Sequence, residues 1–305
     1  MIGAELSARA QGLAGDRVPF AVATVVRARR PTSVSPGDSA LVLGDGTIEG
    51  FVGGLCASAS VRLHALRVLE TGEPLLLRLV PGDGDDALGT AREDEVVVER
   101  NPCLSGGALE IFIEPRLPAA RMRIVGHSPI ALALAEVARA AGHDVVRCDA
   151  DQASCDGGDA ALVVASHGSG EERVLGEALA AGVPYVALVA GPARGEAVRA
   201  ALDVADELRA QLHTPAGLDL GASSPAEVAV SILAEMISVR RRGRTHMGAP
   251  APGDSDPAVD PVCGMQVARS DCSVHLDTPS GREYFCCERC RDAYAGSLAA
   301  DGAAR

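Results

Sequence analysis

Apolar positions recur with helical spacing over Glu5–Leu13 and then close up into an unbroken run, Phe20–Val26, which predicts a short helix followed by a buried strand. A second strand, Ala40–Leu43, ends at the turn Gly44-Asp45-Gly46 and leads to Phe51-Val52-Gly53-Gly54-Leu55-Cys56. A helix is expected from Ser58 to Thr71, and strands over Leu75–Val80, Glu95–Glu99 and Ala108–Glu114. Between the first two of these strands, Pro81–Glu95 is acidic and Gly-rich and reads as a mobile loop or lid. Residues 1–118 are therefore expected to form one α/β domain, closed by the Pro-containing linker Pro115–Ala120.

The pattern then changes. Arg121–Val125 is a strand ended by Gly126, and Ser128-Pro129 is an N-cap and first-turn pair for a helix reaching Ala141. Ile130, Leu134, Val137 and Ala138 give that helix its apolar stripe, and Asp144–Cys148 is the next strand. Strand, tight turn, helix and strand in this order make half of a Rossmann fold. The alternation continues through a strand at Ala160–Ala165, a helix at Glu171–Ala181 and a strand at Pro184–Val189, with Arg194 in the loop after it. The last helix opens at Ser224 with Glu227 three residues on, a capping box, and closes at Arg240–Arg242. Residues 119–242 are thus expected to be a doubly wound, Rossmann-like parallel sheet. Gly126, His127 and His167 lie at its C-terminal strand ends, where such sheets bind ligands; either histidine alone reads more readily as a satisfied structural side chain, and the two together as a site signal. Ser128 stands where a dinucleotide fingerprint has its second glycine, which counts against NAD(P). A Gly/Pro/Ser/Asp linker, 243–258, precedes a small Cys-rich module, 259–305.

Composition narrows the chemistry. With 47% hydrophobic but only 2% aromatic residues, the cores must be built from Ala, Val, Leu and Ile. All 28 basic residues are Arg, so Walker-type nucleotide hydrolysis and Schiff-base chemistry, which need lysine, are excluded. The net charge of −13 argues against a nucleic-acid partner. Neither a signal-peptide pattern nor a long apolar run is present, so no membrane span is expected. The nine cysteines are expected to be reduced in a cytoplasmic setting and kept for metal or redox chemistry.

Three groups of residues carry that chemistry. Cys56 follows Gly53 and Gly54, and Cys103 precedes Gly106 and Gly107, so two thiols sit beside backbone-permissive pairs that suit an anionic ligand. The bland alternative is a tight turn with a small buried thiol. Arg27, Arg29 and Arg30 head a Pro/Ser/Gly loop that is either an anion-binding loop or a solvated one. In the C-terminal module, Cys263, Cys286 and Cys290 are expected to ligate zinc or a soft metal such as copper, with Cys287 and His275 competing for the fourth position. A unit this short needs such a staple.

Several separated motifs resemble the XdhC/CoxI family of molybdenum hydroxylase accessory proteins. They are Ala23-Thr24-Val25-Val26, Pro36-Gly37, Asp45-Gly46-Thr47-Ile48-Glu49-Gly50-Phe51-Val52-Gly53-Gly54, Cys103 with Ser105-Gly106-Gly107, Leu109–Pro115, Val125-Gly126-His127-Ser128-Pro129, Tyr185–Val189, Pro215–Ala222 and Ser231–Glu235. Gly-His-Ser-Pro is closer to the CoxI branch, and Leu55 replaces a third glycine often found before the cysteine. Asp260–Met265 with Tyr284–Cys287 and Cys290 resembles a YHS metal-binding domain. The first resemblance implies a chaperone without turnover that binds molybdenum cofactor (molybdopterin or its dinucleotide), supports its sulfuration and inserts it into an apoenzyme of the xanthine or carbon monoxide dehydrogenase type. Its implied partners are that apoenzyme and a cysteine desulfurase-type sulfur donor, and a homo-oligomer is left open. Two other readings stand beside it: an NAD(P)-dependent oxidoreductase using the Rossmann-like domain, and a thiol or metal sensor or trafficking protein acting through the C-terminal module.

Overall fold

Alternation along the strands explains why the first sheet has two differently covered faces. Ala21, Ala23, Val25, Leu77, Leu79, Ile111 and Ile113 form one core under a helix, while Phe20, Val22 and Leu41 meet Leu13 on the other side. The computed structural model describes residues 3–81, 91–93, 96–101, 107–154, 158–166, 170–246 and 257–303. They fall into two units, Met1–Pro118 with Ala249–Arg305, and Ala119–Gly248.

In the first unit, α1 (Ala4–Gly15) leads into β1 (Phe20–Arg29), β2 (Ser39–Leu43) and β3 (Ile48–Gly50). Then come α2 (Leu55–Thr71), β4 (Leu75–Pro81), β5 (Ala91–Glu93), β6 (Val96–Asn101) and β7 (Ala108–Arg116). The seven strands run in the order β3-β2-β1-β7-β4-β6-β5, and only β4 and β6 pair in parallel. Ala57, Val61, Ala65 and Val68 of α2 pack on the sheet, so small side chains substitute for the missing aromatics by close approach. Three boundaries differ from the expectation. β1 continues through Arg29, because its antiparallel partner β7 pairs Arg29 with Ala108. α2 begins at Leu55 rather than Ser58, since Gly54 is extended and its carbonyl already accepts from the Ser58 amide. β7 runs through Pro115 and Arg116, into the expected linker. Of the expected lid, Ala91–Glu93 pairs with β6, and 82–90, 94 and 95 lie outside the described residues.

The second unit contains β8 (Arg121–Val125), α3 (Pro129–Ala140), β9 (Asp144–Cys148), β10 (Asp159–Val164), α4 (Glu171–Ala180) and β11 (Val186–Leu188). It continues with α5 (Pro192–Ala201), α6 (Asp206–Arg209), β12 (Leu212–His213) and α7 (Pro225–His246). Its parallel sheet runs β12-β11-β10-β8-β9. In chain order this is the doubly wound 2-1-3-4-5 arrangement, with the switch point between β8 and β10. Leu134 and Ala138 of α3 and Ile232 and Met236 of α7 cover one face, and Val174, Leu175 and Val198 of α4 and α5 the other. The expected loop holding Arg194 is instead the start of α5, and β12 adds a strand too short to announce itself by periodicity. Both predicted caps form: Ser128 Oγ accepts from Ala131 N at 3.2 Å, and Glu227 accepts from Ser224 N at 2.8 Å.

The C-terminal module, part of the first unit, consists of β13 (Ala258–Val259), β14 (Gln266–Val267), β15 (Val274–Thr278), β16 (Gly281–Phe285) and α8 (Glu288–Ala303). Its two short ribbons bury Met265, Val267 and Phe285 against Ala59 and Cys56 of α2. Among the described residues no helix is long and apolar enough to cross a membrane.

Two stability predictions follow from the second unit. The Arg123 guanidinium donates to Asp159 at 2.7 Å with both groups buried, so Asp159→Ala is expected to cost about 3–5 kcal/mol in denaturant unfolding. Backbone and hydroxyl donors from Ser224 and Ser223 hold Glu227 down to about 2. A carboxyl lowered on folding stabilises fully above its unfolded pKa, about 4.3, and loses that contribution as pH falls through 2. The stability gap between the parent chain and Glu227→Gln should therefore be constant above about pH 5 and close toward pH 2.

Candidate functional site

One end of the seven-stranded sheet gathers much of the first candidate group. The end of β1 pairs with the start of β7, Arg29 opposite Ala108, and Gly107 lies directly against this turn. A Cβ at Gly107 would sit 2.0 Å from the Pro31 carbonyl oxygen, so only glycine lets the two backbones meet. Gly53, at φ +137°, reaches the same end: its Cβ position is 3.4 Å from Leu109 and 2.8 Å from Ala57. Gly54 caps α2 without any side-chain hydrogen bond, and a Cβ there would meet open space. Arg29 and Arg30 are exposed and the Arg29 carbonyl lies beside Gly107, but Ala28 packs on the α2 side of the sheet, so the Arg29 side chain leaves from the opposite face. Cys103 and Gly106 lie outside the described residues.

Arg27 does not join them. Leu109 and Ile111 of β7 face α2, so Glu110 between them faces the other way, and Arg27 lies 3.7 Å from Glu110 on that opposite face. Arg78 approaches the same carboxylate at 3.2 Å. The reason is the longer β1, which makes Arg27 a strand residue with a cross-strand partner. Leu55, which follows Gly53 and Gly54, is 63% exposed. A neighbouring open groove of about 750 Å³ is lined by Glu5, Asp38 and Glu49 with Arg9, and this acidic balance is wrong for a phosphate.

Cys56 points away from the sheet, into the C-terminal module. Its Sγ lies with those of Cys286 and Cys287, all within 4.8 Å of one another. A second set, Asp260, Cys263, Cys286 and Cys290, satisfies the same limit and shares Cys286. Cys286 Sγ is 3.6 Å from Cys263, 3.7 Å from Cys287 and 3.7 Å from Cys290. Asp260 organises the set: its carboxylate accepts from Cys286 N at 2.8 Å, Val262 N at 2.9 Å and Cys263 N at 3.4 Å. Burial works to raise its pKa, but the Cys286 and Val262 amides outweigh it and hold the group below the usual carboxylate range. The hydrogen bond between Cys263 and Cys286 lowers the Cys263 thiol and raises that of Cys286, which Cys56 and burial raise further. Cys290 is raised, chiefly by burial.

Asp260 was visible in the sequence only as the first residue of Asp-Pro-Val-Cys-Gly-Met; the spacing of its amide partners follows from the fold. His275, a proposed fourth ligand, stands apart from both sets: its Nδ1 is 2.9 Å from the Ser273 carbonyl and its ring tilts over Tyr284. The module is held to the N-terminal residues at a second place. Gly46 has φ +89°, and a Cβ there would be 2.9 Å from Ser270 Oγ, while Thr47 Oγ1 is 3.4 Å from Cys272 Sγ. Further along α2, Ser60 and His64 are buried between its sheet side and its module side. His64 Nε2 is 3.1 Å from the buried Glu99 carboxylate, and Ser60 Oγ and His64 Nδ1 have no hydrogen-bond partner among the described residues. The sequence signal was a lone serine and histidine on an apolar helical stripe.

In the second unit, Gly126, at φ +110°, ends β8 at the switch point, where a Cβ would lie 2.8 Å from the Ala165 carbonyl oxygen. His127 Nε2 lies 3.1 Å from Asp149, both exposed, and His167 lies outside the described residues. Ser128 Oγ already occupies an amide at the start of α3, where a pyrophosphate would otherwise bind. Arg194 is paired with Glu171, which also accepts from Ser166 Oγ. Sequence reasoning missed Glu235, which accepts from Tyr185 Oη at 2.7 Å and Gly217 N at 2.8 Å and lies 3.1 Å from His213. Burial, with Glu235 beside it, pushes the Tyr185 hydroxyl up.

Residues 13–79 match the XdhC and CoxI family, and residues 122–236 match the XdhC Rossmann domain. The uncharacterized protein YqeB of Escherichia coli K12 is 27% identical over 252 residues, 73% of this chain. The chain spans 44% of the length of that relative. A crystal structure described as a xanthine dehydrogenase from Bacillus halodurans is 15% identical, with 79% of this chain and 96% of that one covered at a TM-score of 0.38.

The carboxylate of Asp260 gives a direct test of the module's construction. Asp260→Ala leaves the buried Cys286 amide unpaired, at a cost of about 1–3 kcal/mol. Hydrogen exchange is expected to quicken across 257–303 and to stay unchanged in β1, β4 and β7.

Proposed function

We propose that this chain is an accessory protein in the maturation of a molybdenum hydroxylase of the xanthine or carbon monoxide dehydrogenase type. On this reading it holds molybdenum cofactor, as molybdopterin or its dinucleotide, during sulfuration by a cysteine desulfurase-type donor and delivers it to the apoenzyme. The observation that carries the reading is the convergence of Gly53, Gly54 and Gly107 with the exposed Arg30 at one sheet end, all but Gly107 within residues 13–79, which are similar to the XdhC and CoxI family. An exposed guanidinium group and helix-start amides without a side-chain cap suit the phosphate of such a cofactor. Arg30 and the α2 start would hold that end, and the cofactor would supply the dithiolene-bound molybdenum. The thiol of Cys56 fits less directly, because it faces the C-terminal cysteines.

The C-terminal module is read as a site for zinc or a soft metal such as copper, held by Cys263, Cys286 and Cys290 with Asp260 as the fourth group. A zinc–sulfur bond of about 2.3 Å requires tetrahedral S···S edges of about 3.8 Å, and the observed separations of 3.6 and 3.7 Å fit that requirement. An oxidoreductase using NAD(P) draws less support, since Ser128 caps its own helix.

Co-expression with cofactor biosynthesis and anaerobic purification tests the main reading. The chain is expected to retain molybdenum and pterin together, and the variant Arg30→Ala to retain at least about tenfold less, given about 1.5–3 kcal/mol per charge-assisted bond. Equal retention by parent and variant would remove this sheet end from the mechanism.

A further inference from the structure

We infer that Cys56, Cys286 and Cys287 form a second position for a thiophilic d¹⁰ cation, joined to the Asp260–Cys263–Cys286–Cys290 position through the shared Cys286 thiolate. The Cys56 set joins parts of the chain far apart in sequence: Cys56 lies in the first turn of α2, and Cys286 and Cys287 lie between β16 and α8. The juxtaposition is not one chance contact. Ala59, one turn from Cys56, is buried with Met265, Val267 and Phe285, which surround the sulfur atoms with apolar side chains. At the far side of the contact, Gly46 leaves room for Ser270, and Arg62 Nε donates to the Gly46 carbonyl at 2.8 Å.

The chemistry of the donors selects the ligand class. Soft thiolates in a largely apolar shell favour zinc or copper(I) over magnesium or calcium, whose oxygen ligands are absent from the Cys56 set. A thiolate has lone pairs enough to bridge two such cations, and Cys286 is the only sulfur common to both sets among the described residues. Each ion neutralises thiolates that would repel one another at 3.6–3.7 Å, and its binding releases their protons. An ion at the second position also bonds the C-terminal module to α2, and it withdraws Cys56 from any other ligand at the cofactor end. The inference rests on the metal reading of the first position, and it does not depend on molybdenum cofactor.

The test uses the full chain, stripped of metal and kept reduced and anaerobic, titrated with zinc against a chromophoric chelator. The parent chain is expected to bind two equivalents, Cys56→Ser one and Cys263→Ser one. Any other count for the parent or for Cys56→Ser overturns the second position, while loss of both ions in Cys263→Ser overturns the first as an independent site. Because a serine variant can fail to fold, a second measurement uses the parent chain alone. Iodoacetamide labelling of Cys56, read by peptide mass spectrometry, is expected to slow at least tenfold when the second equivalent of zinc is added. Labelling that slows fully at the first equivalent, or not at all, overturns the inference. Failure of cofactor retention with two zinc ions bound would count only against the maturation reading.

Discussion

The first unit depends on the two-sided burial of α2. One side of this helix packs Ala57, Val61, Ala65 and Val68 into the sheet, and another carries Cys56 and Ala59 into the C-terminal module. Both contacts use small side chains on the helix, which let the Leu and Ile residues of the sheet and Met265 and Phe285 of the module approach its backbone closely. The helix is also short of intrinsic anchors, with a glycine at each end and no side-chain cap at its start. Its position is therefore set by what it packs against, and the site at its first turn inherits that dependence.

The second unit solves a different problem with polar chemistry. Arg123 with Asp159, Glu171 with Arg194 and Ser166, and Glu235 with Tyr185, His213 and Gly217 each join elements distant in sequence. Buried groups of this kind must be paired to be tolerated, so they specify one arrangement of strands and helices more than they add stability. At the switch point, where doubly wound sheets usually present an open crevice, the residues that bind ligands elsewhere are engaged internally: Ser128 with its own helix and Gly126 with the approach of β10.

Much of the fold was legible along the chain because its signals are local. The strands at Arg121–Val125 and Asp144–Cys148 appear at the residues their apolar runs indicate, and the caps at Ser128 and Ser224 form as their spacing predicts. What escaped was decided by partners. Arg27 reads as a loop residue until β7 extends β1 past it, and Arg194 reads as a loop residue until α5 forms around it. The candidate site divides in the same way: the glycines declare their backbone freedom in the sequence, whereas the meeting of Cys56 with Cys286 and Cys287 is a docking event across most of the chain. No periodicity or spacing reports such an event. Gly46, a turn glycine that also makes room for Ser270, is the nearest thing to a trace of it.

Ala59 has a practical consequence for any attempt to divide this chain. Its side chain is 4% exposed because Met265, Val267 and Phe285 cover it. A fragment ending before Pro257 would turn that alanine and the neighbouring Cys56 toward water, creating a small apolar patch with a reactive thiol at its centre. Such a fragment would be a different chemical object from the same residues in the whole protein, prone to oxidation and self-association at the very place where a cofactor would be sought. Fragments chosen by family boundaries alone would carry this artefact unnoticed.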